Sequence, residues 1–124
     1  MAEKILLDTS MLIDIFDKGG DTGILKSECY LSVVSVYEYI RYKHNAEEQK
    51  LLLEGAFETI NFSNPIILMA SEIFVKLKKA GKLINENDVY IAASAIANKL
   101  KLYTKDSDFK EIKKLFPEFR LAVM

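Results

Sequence analysis

The fold is decided by the stretch Ile5-Leu6-Leu7-Asp8-Thr9-Ser10. A short apolar run that stops at an acid is typical of a buried strand that carries a carboxylate to the carboxyl end of a sheet, where ligands bind in open α/β folds. The mostly apolar residues 11–16 follow, and Thr9 or Ser10 can cap a helix, so we expect a strand, a tight turn and a helix. Asp8 also has a simpler interpretation, as the cap of that helix.

Composition indicates one globular domain over residues 1–124. The chain is 50% hydrophobic and 28% charged, the usual balance for a domain with a single core. With two prolines, five glycines and no internal repeat, nothing suggests a linker or a solenoid. The apolar run near the N-terminus is too short for a signal peptide or a membrane span, so we expect a cytoplasmic protein with no membrane contact.

The formal net charge of −1 argues against a protein that holds nucleic acid by a broad basic surface. A site built from carboxylates can still act on phosphate when divalent cations bind between the two. The single cysteine, Cys29, lacks a partner for an internal disulfide and fits a core position, and the single histidine, His44, fits the surface.

Strands and helices alternate along the rest of the chain. The patterns predict strands over 29–33, 58–62, 100–104 and 119–123, with helices starting at 35, 46, 64 and 85. The helix from Ala46 is expected to break near Gly55, and the helix from Asn64 is expected to close at Gly81. This alternation predicts an α/β domain with a mainly parallel central sheet and helices on both faces.

Three more acids lie at strand ends or helix starts, and each has a structural alternative. Glu38 ends the pattern Ser35-Val36-Tyr37-Glu38, which also matches a helix capping box. Asp88 falls in the first turn of a helix, where the helix dipole alone favours a negative charge by about 0.3–1 kcal/mol. Asp106 follows a strand, as Asp8 does.

Together, Asp8, Glu38, Asp88 and Asp106 can gather at one edge of a parallel sheet. Crowded carboxylates repel one another and raise one another's pKa values, so such a cluster usually implies bound cations. Oxygen ligands without a set of histidines and cysteines favour Mg²⁺ or Mn²⁺ over Zn²⁺.

These motifs resemble the PIN domain family, and the compact length is similar to that of the VapC toxins of type II toxin–antitoxin pairs. The matching segments are Leu-Leu-Asp-Thr-Ser-x-Leu-Ile-Asp at 6–14, Ser-x-x-Glu at 35–38, Asp-x-x-Ile-Ala-Ala-x-Ala at 88–95 and Thr-x-Asp-x-Asp-Phe at 104–109. They occur in the family's order over nearly the whole chain. The last segment offers two acids for one role, and we place the family's fourth acid on Asp106, with Asp108 as an outer contributor.

The resemblance implies an endoribonuclease that uses Mg²⁺ or Mn²⁺ to hydrolyse RNA phosphodiester bonds. It implies Asp8 and Asp88 as direct metal ligands, Asp106 as the acid that completes the metal shell, and Glu38 as a ligand or a water-positioning group. Hydroxyl side chains suit the support of such carboxylates, so Ser10 and Thr104 are predicted to hold them. The family also implies a small antitoxin protein that covers the site, and a homodimer. The apolar, tyrosine-rich helix surface expected around Tyr37, Tyr39 and Tyr42 also favours a homodimer.

Three competing interpretations fit the sequence less well. A phosphotransferase of the haloacid-dehalogenase type needs Asp-x-Asp after the first strand, whereas this chain has Asp8-Thr9-Ser10. A receiver-like signalling domain needs a phosphoacceptor Asp after a central strand, where this chain has Phe62-Ser63-Asn64-Pro65. A catalytically inactive PIN fold that binds RNA or has a structural role would be marked by loss of the acids, and all four are present.

Overall fold

Five strands form one parallel sheet in the computed structural model, which describes residues 2–124. The strands are β1 (Lys4–Leu7), β2 (Glu28–Ser32), β3 (Glu58–Ile60), β4 (Lys101–Thr104) and β5 (Leu121–Val123). The α-helices are α1 (Thr9–Leu12), α2 (Val33–Ile40), α3 (Ala46–Ala56), α4 (Asn64–Lys79), α5 (Glu86–Ala97) and α6 (Phe109–Leu115). Helix α1 continues as a π-helical turn over Ile13–Asp17, and a 3₁₀ turn over Gly23–Lys26 precedes β2.

Strand β1 lies at the centre of the sheet, whose strand order is β3-β2-β1-β4-β5. Leu6 is aligned with Tyr30 of β2 on one side and with Leu102 of β4 on the other. The chain first adds strands on the β2 side, and then α4 and α5 lead it across to β4 on the other side of β1. The direction of winding therefore reverses between β1 and β4, and in open parallel sheets the crevice at such a reversal is where ligands bind.

Side chains of β1 alternate between two hydrophobic cores. Leu6 packs in the core that contains α4, α5 and α6 residues, whereas Ile5 and Leu7 pack in the core built with α1, α2 and α3. All three side chains are fully buried, as expected for a central parallel strand covered on both faces. The structure confirms the predicted α/β class, the parallel sheet and the helices on both faces.

Helix α2 begins earlier than predicted. Ser32 is its N-cap, and the Ser32 hydroxyl accepts a hydrogen bond from the backbone N–H of Val34 at 3.1 Å. Ser35 therefore lies inside the helix, fully buried, and its hydroxyl has no hydrogen-bond partner among residues 2–124. The predicted start at Ser35 is wrong because Ser32 and Ser35 both meet the N-cap preference for a hydroxyl side chain.

Other boundaries differ from the prediction by a few residues. Helix α3 passes through Gly55 and ends at Ala56, and β3 stops at Ile60. Strand β5 begins only at Leu121, since the backbone N–H of Phe119 bonds to the carbonyl of Phe116 instead of to β4. Ser63, not Asn64, caps α4, which is 16 residues long. No helix in the described part of the chain is long and apolar enough to cross a membrane.

Candidate active site

The sheet and two helices bring the predicted acids to one edge. Asp8 follows β1 directly, and its backbone N–H bonds to the carbonyl of Tyr103 at 3.0 Å, so β1 and β4 stay paired up to the acid. Asp106 follows the end of β4 by two residues, Glu38 lies on α2 and Asp88 lies in the first turn of α5. This edge is the carboxyl edge of the sheet at the reversal of winding described above.

Asp8 is held by hydroxyl groups from two elements. Its carboxylate is only 4% exposed, and its Oδ2 atom accepts hydrogen bonds at 2.7 Å from Ser10 Oγ and from Thr104 Oγ1. The hydroxyls are themselves oriented, because the backbone N–H of Lys105 bonds to Ser10 Oγ at 2.9 Å and that of Asp106 bonds to Thr104 Oγ1 at 3.0 Å. Burial raises the pKa of Asp8, and the two hydroxyl bonds oppose this rise.

The alternative interpretation of Asp8, as a helix cap, is only partly met. Asp8 occupies the backbone N-cap position of α1, so the expectation that Thr9 or Ser10 would be the cap is wrong. Its side chain, however, makes no capping hydrogen bond, although the nearby N–H groups of Thr9 and Ser10 also lower its pKa. The carboxylate is therefore positioned mainly by hydroxyls and remains directed to the sheet edge.

Glu38 joins three helices. Thr9 Oγ1 donates to its Oε1 atom at 2.7 Å, and Asn87 Nδ2 donates to its Oε2 atom at 3.2 Å. The capping-box interpretation of Glu38 is wrong, because α2 starts at Val33 and leaves Glu38 in its second turn. Sequence reasoning missed Thr9 and Asn87 as the groups that hold Glu38, although each is the direct neighbour of a predicted site acid.

Asp88 has the most strongly shifted pKa of the acids in the cluster. Its pKa is raised to about 7, first by burial and then by the charges of the other acids, which in decreasing order of effect are Asp8, Asp106, Glu38 and Asp108. The N-cap of α5 is Asn85, whose side-chain oxygen accepts a hydrogen bond from the N–H of Asn87 at 2.8 Å. Asn85 already caps α5, so Asp88 is not needed as a cap. A favourable place in the first turn alone does not explain why Asp88 lies among four other acids.

Asp106 and Asp108 differ in how closely they approach this centre. Asp106 is half-buried and raises the pKa of Asp88 more than the exposed Asp108 does. The Oδ1 atom of Asp106 also accepts the backbone N–H of Asp108 at 2.9 Å, which closes the turn into α6. Asp106 is thus the more buried of the two acids and the one with the stronger effect on Asp88.

The donor atoms of this cluster suit a hard divalent cation, because they are carboxylate oxygens without histidine or cysteine. Within residues 2–124, no three His, Cys, Asp or Glu side chains are close enough together to hold one ion as they stand. Carboxylates that repel one another separate when no cation lies between them. To bind one ion together, these side chains would have to rotate toward one another. The chemistry of the residues therefore fits Mg²⁺ or Mn²⁺.

A cavity of about 690 Å³ lies apart from these acids, between the π-helical turn, α2 and α3. Aromatic and apolar side chains such as Phe16, Tyr39 and Phe57 line it, and none of the four predicted site acids does. The chemistry-bearing groups lie instead along the open edge of the sheet.

Comparison with known proteins identifies the family of the chain. A family model described as PIN domain matches residues 5–115. The chain belongs to the PIN domain family. Ribonuclease VapC1 of Methanocaldococcus jannaschii is 36% identical to this PIN domain over 121 residues, which cover 91% of this chain and 83% of that protein.

Solved structures of PIN-domain complexes share the fold. The crystal structure of VapBC2 from Rickettsia felis, bound to a DNA fragment from its promoter, superimposes with a TM-score of 0.79 at 24% identity and covers 98% of both chains. A member of the VapBC family of toxin–antitoxin systems, VapBC-5 from Mycobacterium tuberculosis, gives a TM-score of 0.67 at 24% identity over 98% of this chain and 97% of that one. At this identity the likeness concerns the fold alone.

Proposed function

We propose that this PIN domain is a divalent-metal-dependent endoribonuclease that hydrolyses RNA phosphodiester bonds, and that it is the toxin of a toxin–antitoxin pair. The observation that carries the proposal is the gathering of Asp8, Glu38, Asp88 and Asp106 at the sheet's carboxyl edge, where hydrogen bonds from neighbouring elements hold Asp8 and Glu38. Similarity to a protein named ribonuclease VapC1 supports RNA as the substrate.

We assign the cation to Asp8 and Asp88, with Asp106 completing the set and Asp108 outside it. Both hydroxyls on Asp8 bond to its Oδ2 atom, so Oδ1 is the atom that we assign to the cation. When bound, Mg²⁺ or Mn²⁺ would lower the pKa of a water molecule and offset negative charge on the leaving oxygen. Ser10 and Thr104 keep the Asp8 carboxylate oriented for this task.

Glu38 would be either a further ligand or the group that positions the attacking water. Thr9 and Asn87 each donate to one of its two carboxylate oxygens, so its orientation is determined by α1 and α5 together. Groups that orient a ligand in this way usually contribute about 10–100-fold to metal affinity or activity.

We further propose that the protein is a cytoplasmic homodimer and that a small antitoxin protein covers the site. Support for an antitoxin comes from the similarity of the whole chain to members of VapBC complexes. An acid edge that must bind a cation and an anionic strand is also readily blocked by a partner that brings its own positive charge.

The test combines activity and stability of Asp8→Asn. A fluorescently labelled RNA should be cut by the wild type only when Mg²⁺ or Mn²⁺ is added, and Asp8→Asn should not cut it. Asn keeps the shape and hydrogen-bonding reach of Asp but removes a repelling charge, so the metal-free variant should be at least as stable as the wild type. Mg²⁺ should raise the thermal midpoint of the wild type and raise that of the variant much less.

The matched control is Asp21→Asn, an acid-to-amide change in an exposed turn where the Asp side chain accepts the N–H of Gly23. This variant should cut RNA and respond to Mg²⁺ like the wild type. Cleavage that resists EDTA would contradict the metal mechanism. An Asp8→Asn protein that still cuts RNA, or that gains as much stability from Mg²⁺ as the wild type, would contradict the location of the site.

A further inference from the structure

An exposed stack of two tyrosines and one arginine lies at the end of α2. The Arg41 guanidinium carbon is 5.3 Å from the centre of the Tyr37 ring and 5.1 Å from that of the Tyr42 ring. Tyr37 is 56% exposed and Tyr42 is 86% exposed, so the stack contributes little to the core. Tyr39, which lies between them in sequence, is only 6% exposed, and its hydroxyl donates a hydrogen bond to Asp17.

This Tyr37–Arg41–Tyr42 stack lies beside the acid cluster. Tyr37 directly precedes Glu38, and Arg41 follows Glu38 by three residues in continuing helical geometry, a spacing that makes side chains neighbours on a helix. The pKa of Arg41 is raised, first by the Tyr37 side chain and also by the charge of Glu38. The stack therefore lies next to Glu38, one of the acids at this edge of the sheet.

Positive charge at this position would help to hold a polyanionic ligand beside the acids. The acids at the edge repel phosphate, so a strand that approaches them needs positive charge nearby to hold its backbone. The planar guanidinium can pair with two phosphate oxygens at once, and the exposed tyrosine rings can stack unpaired bases. The chain's other arginine, Arg120, lies at the opposite edge of the sheet, paired with Glu3 and bonded to the carbonyl of Lys99.

We propose that the Tyr37–Arg41–Tyr42 stack binds single-stranded RNA next to the acid cluster, with bases stacked on the tyrosine rings and a phosphate paired with Arg41. The proposal rests on the proposed ribonuclease function, because it names the form of RNA that the site receives. Stacking requires exposed base faces, so duplex RNA of the same length binds the stack poorly.

The test measures binding rather than cleavage, so that the two proposals can fail separately. A fluorescein-labelled oligouridylate of 12 nucleotides is titrated with full-length protein in EDTA at low salt, and binding is followed by fluorescence anisotropy. Tyr42→Ala and Arg41→Ala should each weaken binding by about 5- to 100-fold, the usual effect of losing one base-stacking or phosphate contact. Tyr42→Phe should bind like the wild type, because the ring is retained.

Two controls separate the stack from general charge. Arg120→Ala removes the same charge at the opposite edge and should leave the affinity within about twofold of the wild type. An oligomer of equal length that carries abasic sites should bind the wild type and Tyr42→Ala equally. Because Tyr42 is almost fully exposed, its variants should keep the wild-type thermal midpoint.

Unchanged affinity of Tyr42→Ala for oligouridylate would overturn the proposal, as would an equal loss in Arg120→Ala. A Tyr42→Ala protein that binds RNA normally but loses a copurifying protein partner would assign the stack to that partner instead, and would equally overturn it. Absence of RNA cleavage by a wild type that nevertheless binds oligouridylate through the stack would contradict only the catalytic proposal.

Discussion

At the scale of single residues, Asp8 and Asp88 show how two buried acids in one site can differ. Asp8 is the more buried, but two hydroxyls donate to it and offset part of the cost of burying its charge. Asp88 is half-buried and surrounded by other acids, so its pKa reaches about 7. Near neutral pH, Asp88 is the acid most sensitive to whether a counter-charge is present.

We expect the metal-free protein to lose stability as pH rises because of Asp88. Its folded-state pKa of about 7 lies above the ordinary value of 3.8, so the penalty is absent below pH 3.8 and grows until the group is ionised in the folded protein, above about pH 7. Asp88→Asn removes this penalty. In EDTA, the thermal midpoint of Asp88→Asn should therefore exceed that of the wild type by more at pH 8 than at pH 5.

Asp17 supplies a control of opposite sign for this measurement. The hydrogen bond from Tyr39 lowers the pKa of Asp17, so its contribution to stability is present above the ordinary pKa and is lost as pH falls. Asp17→Asn should lower the midpoint at pH 5 and at pH 8 alike. A gain for Asp88→Asn of the same size at both pH values would show that ionisation of Asp88 is not its cause.

Part of the site could be predicted from single residues. That Asp8 and the acids after β4 would meet follows from the rule that parallel strands end at one edge, and the bonds from Ser10 and Thr104 to Asp8 have the predicted form. The partners of Glu38 could not be predicted, because they depend on where α2 begins. With α2 starting at Val33, Glu38 lies in the second turn of the helix. Its side chain there bonds to Thr9 and Asn87 instead of to the start of α2.

At the scale of elements, α4 and α5 end in the same way. In each helix two backbone N–H groups after the end bond back to carbonyls of the last turn, from Gly81 and Lys82 in α4 and from Lys99 and Leu100 in α5. This Schellman arrangement needs a left-handed residue, and the φ angles are 68° at Gly81 and 55° at Lys99. Helix α4 has a glycine at this left-handed position, which is the favourable residue, whereas α5 has a lysine.

We expect Gly81→Ala to cost about 1 kcal/mol and Lys99→Gly to gain about 0.5 kcal/mol, because a side chain is disfavoured in the left-handed region. Gly55→Ala is the matched control, since Gly55 lies within α3 and an added methyl meets no atom within 4 Å there or at Gly81. In a helix this change should gain about 0.5 kcal/mol. Urea denaturation of the three variants measures these differences, and a loss in both glycine variants would contradict a conformational cause.

Element positions were predicted well where one strong signal stood alone. Helix α4 ends at Lys79, two residues before the predicted closing glycine Gly81, and α5 begins at Glu86, within one residue of the predicted start. The predicted helix starts were wrong where two nearby residues suit the N-cap position equally well, as Ser32 and Ser35 do for α2 and Ser63 and Asn64 do for α4. The predicted start of β5 was wrong because Phe119 is fully buried like a strand residue, although its backbone N–H bonds to the carbonyl of Phe116 and not to β4.

At the scale of the whole molecule, apolar surface remains that one chain does not cover. Tyr39 does not contribute to it, so the expectation of a surface built on Tyr37, Tyr39 and Tyr42 together is wrong for its middle member. Large apolar side chains are exposed instead on and beside α4, namely Phe62, Ile67, Leu68 and Val75. Contiguous exposed groups of this kind often mark a protein interface.

We therefore predict a homodimer, with a mass by light scattering of about twice the 14.1 kDa of one chain. The mass should stay at this value over a dilution series in the micromolar range and should be the same in Arg120→Ala, which changes a charge away from α4. A mass of one chain at micromolar concentration would reject the dimer. The RNA-binding and metal tests above do not depend on this result.

The bond from Thr104 to Asp8 joins residues that are 96 positions apart in the chain. During translation Asp8 leaves the ribosome first, and at about 5–20 residues per second Thr104 follows several seconds later. Until then β1 lacks its neighbour β4, and the Asp8 carboxylate lacks one of its two hydroxyl donors. A nascent chain therefore cannot complete the acid-bearing edge of the sheet until synthesis has passed β4.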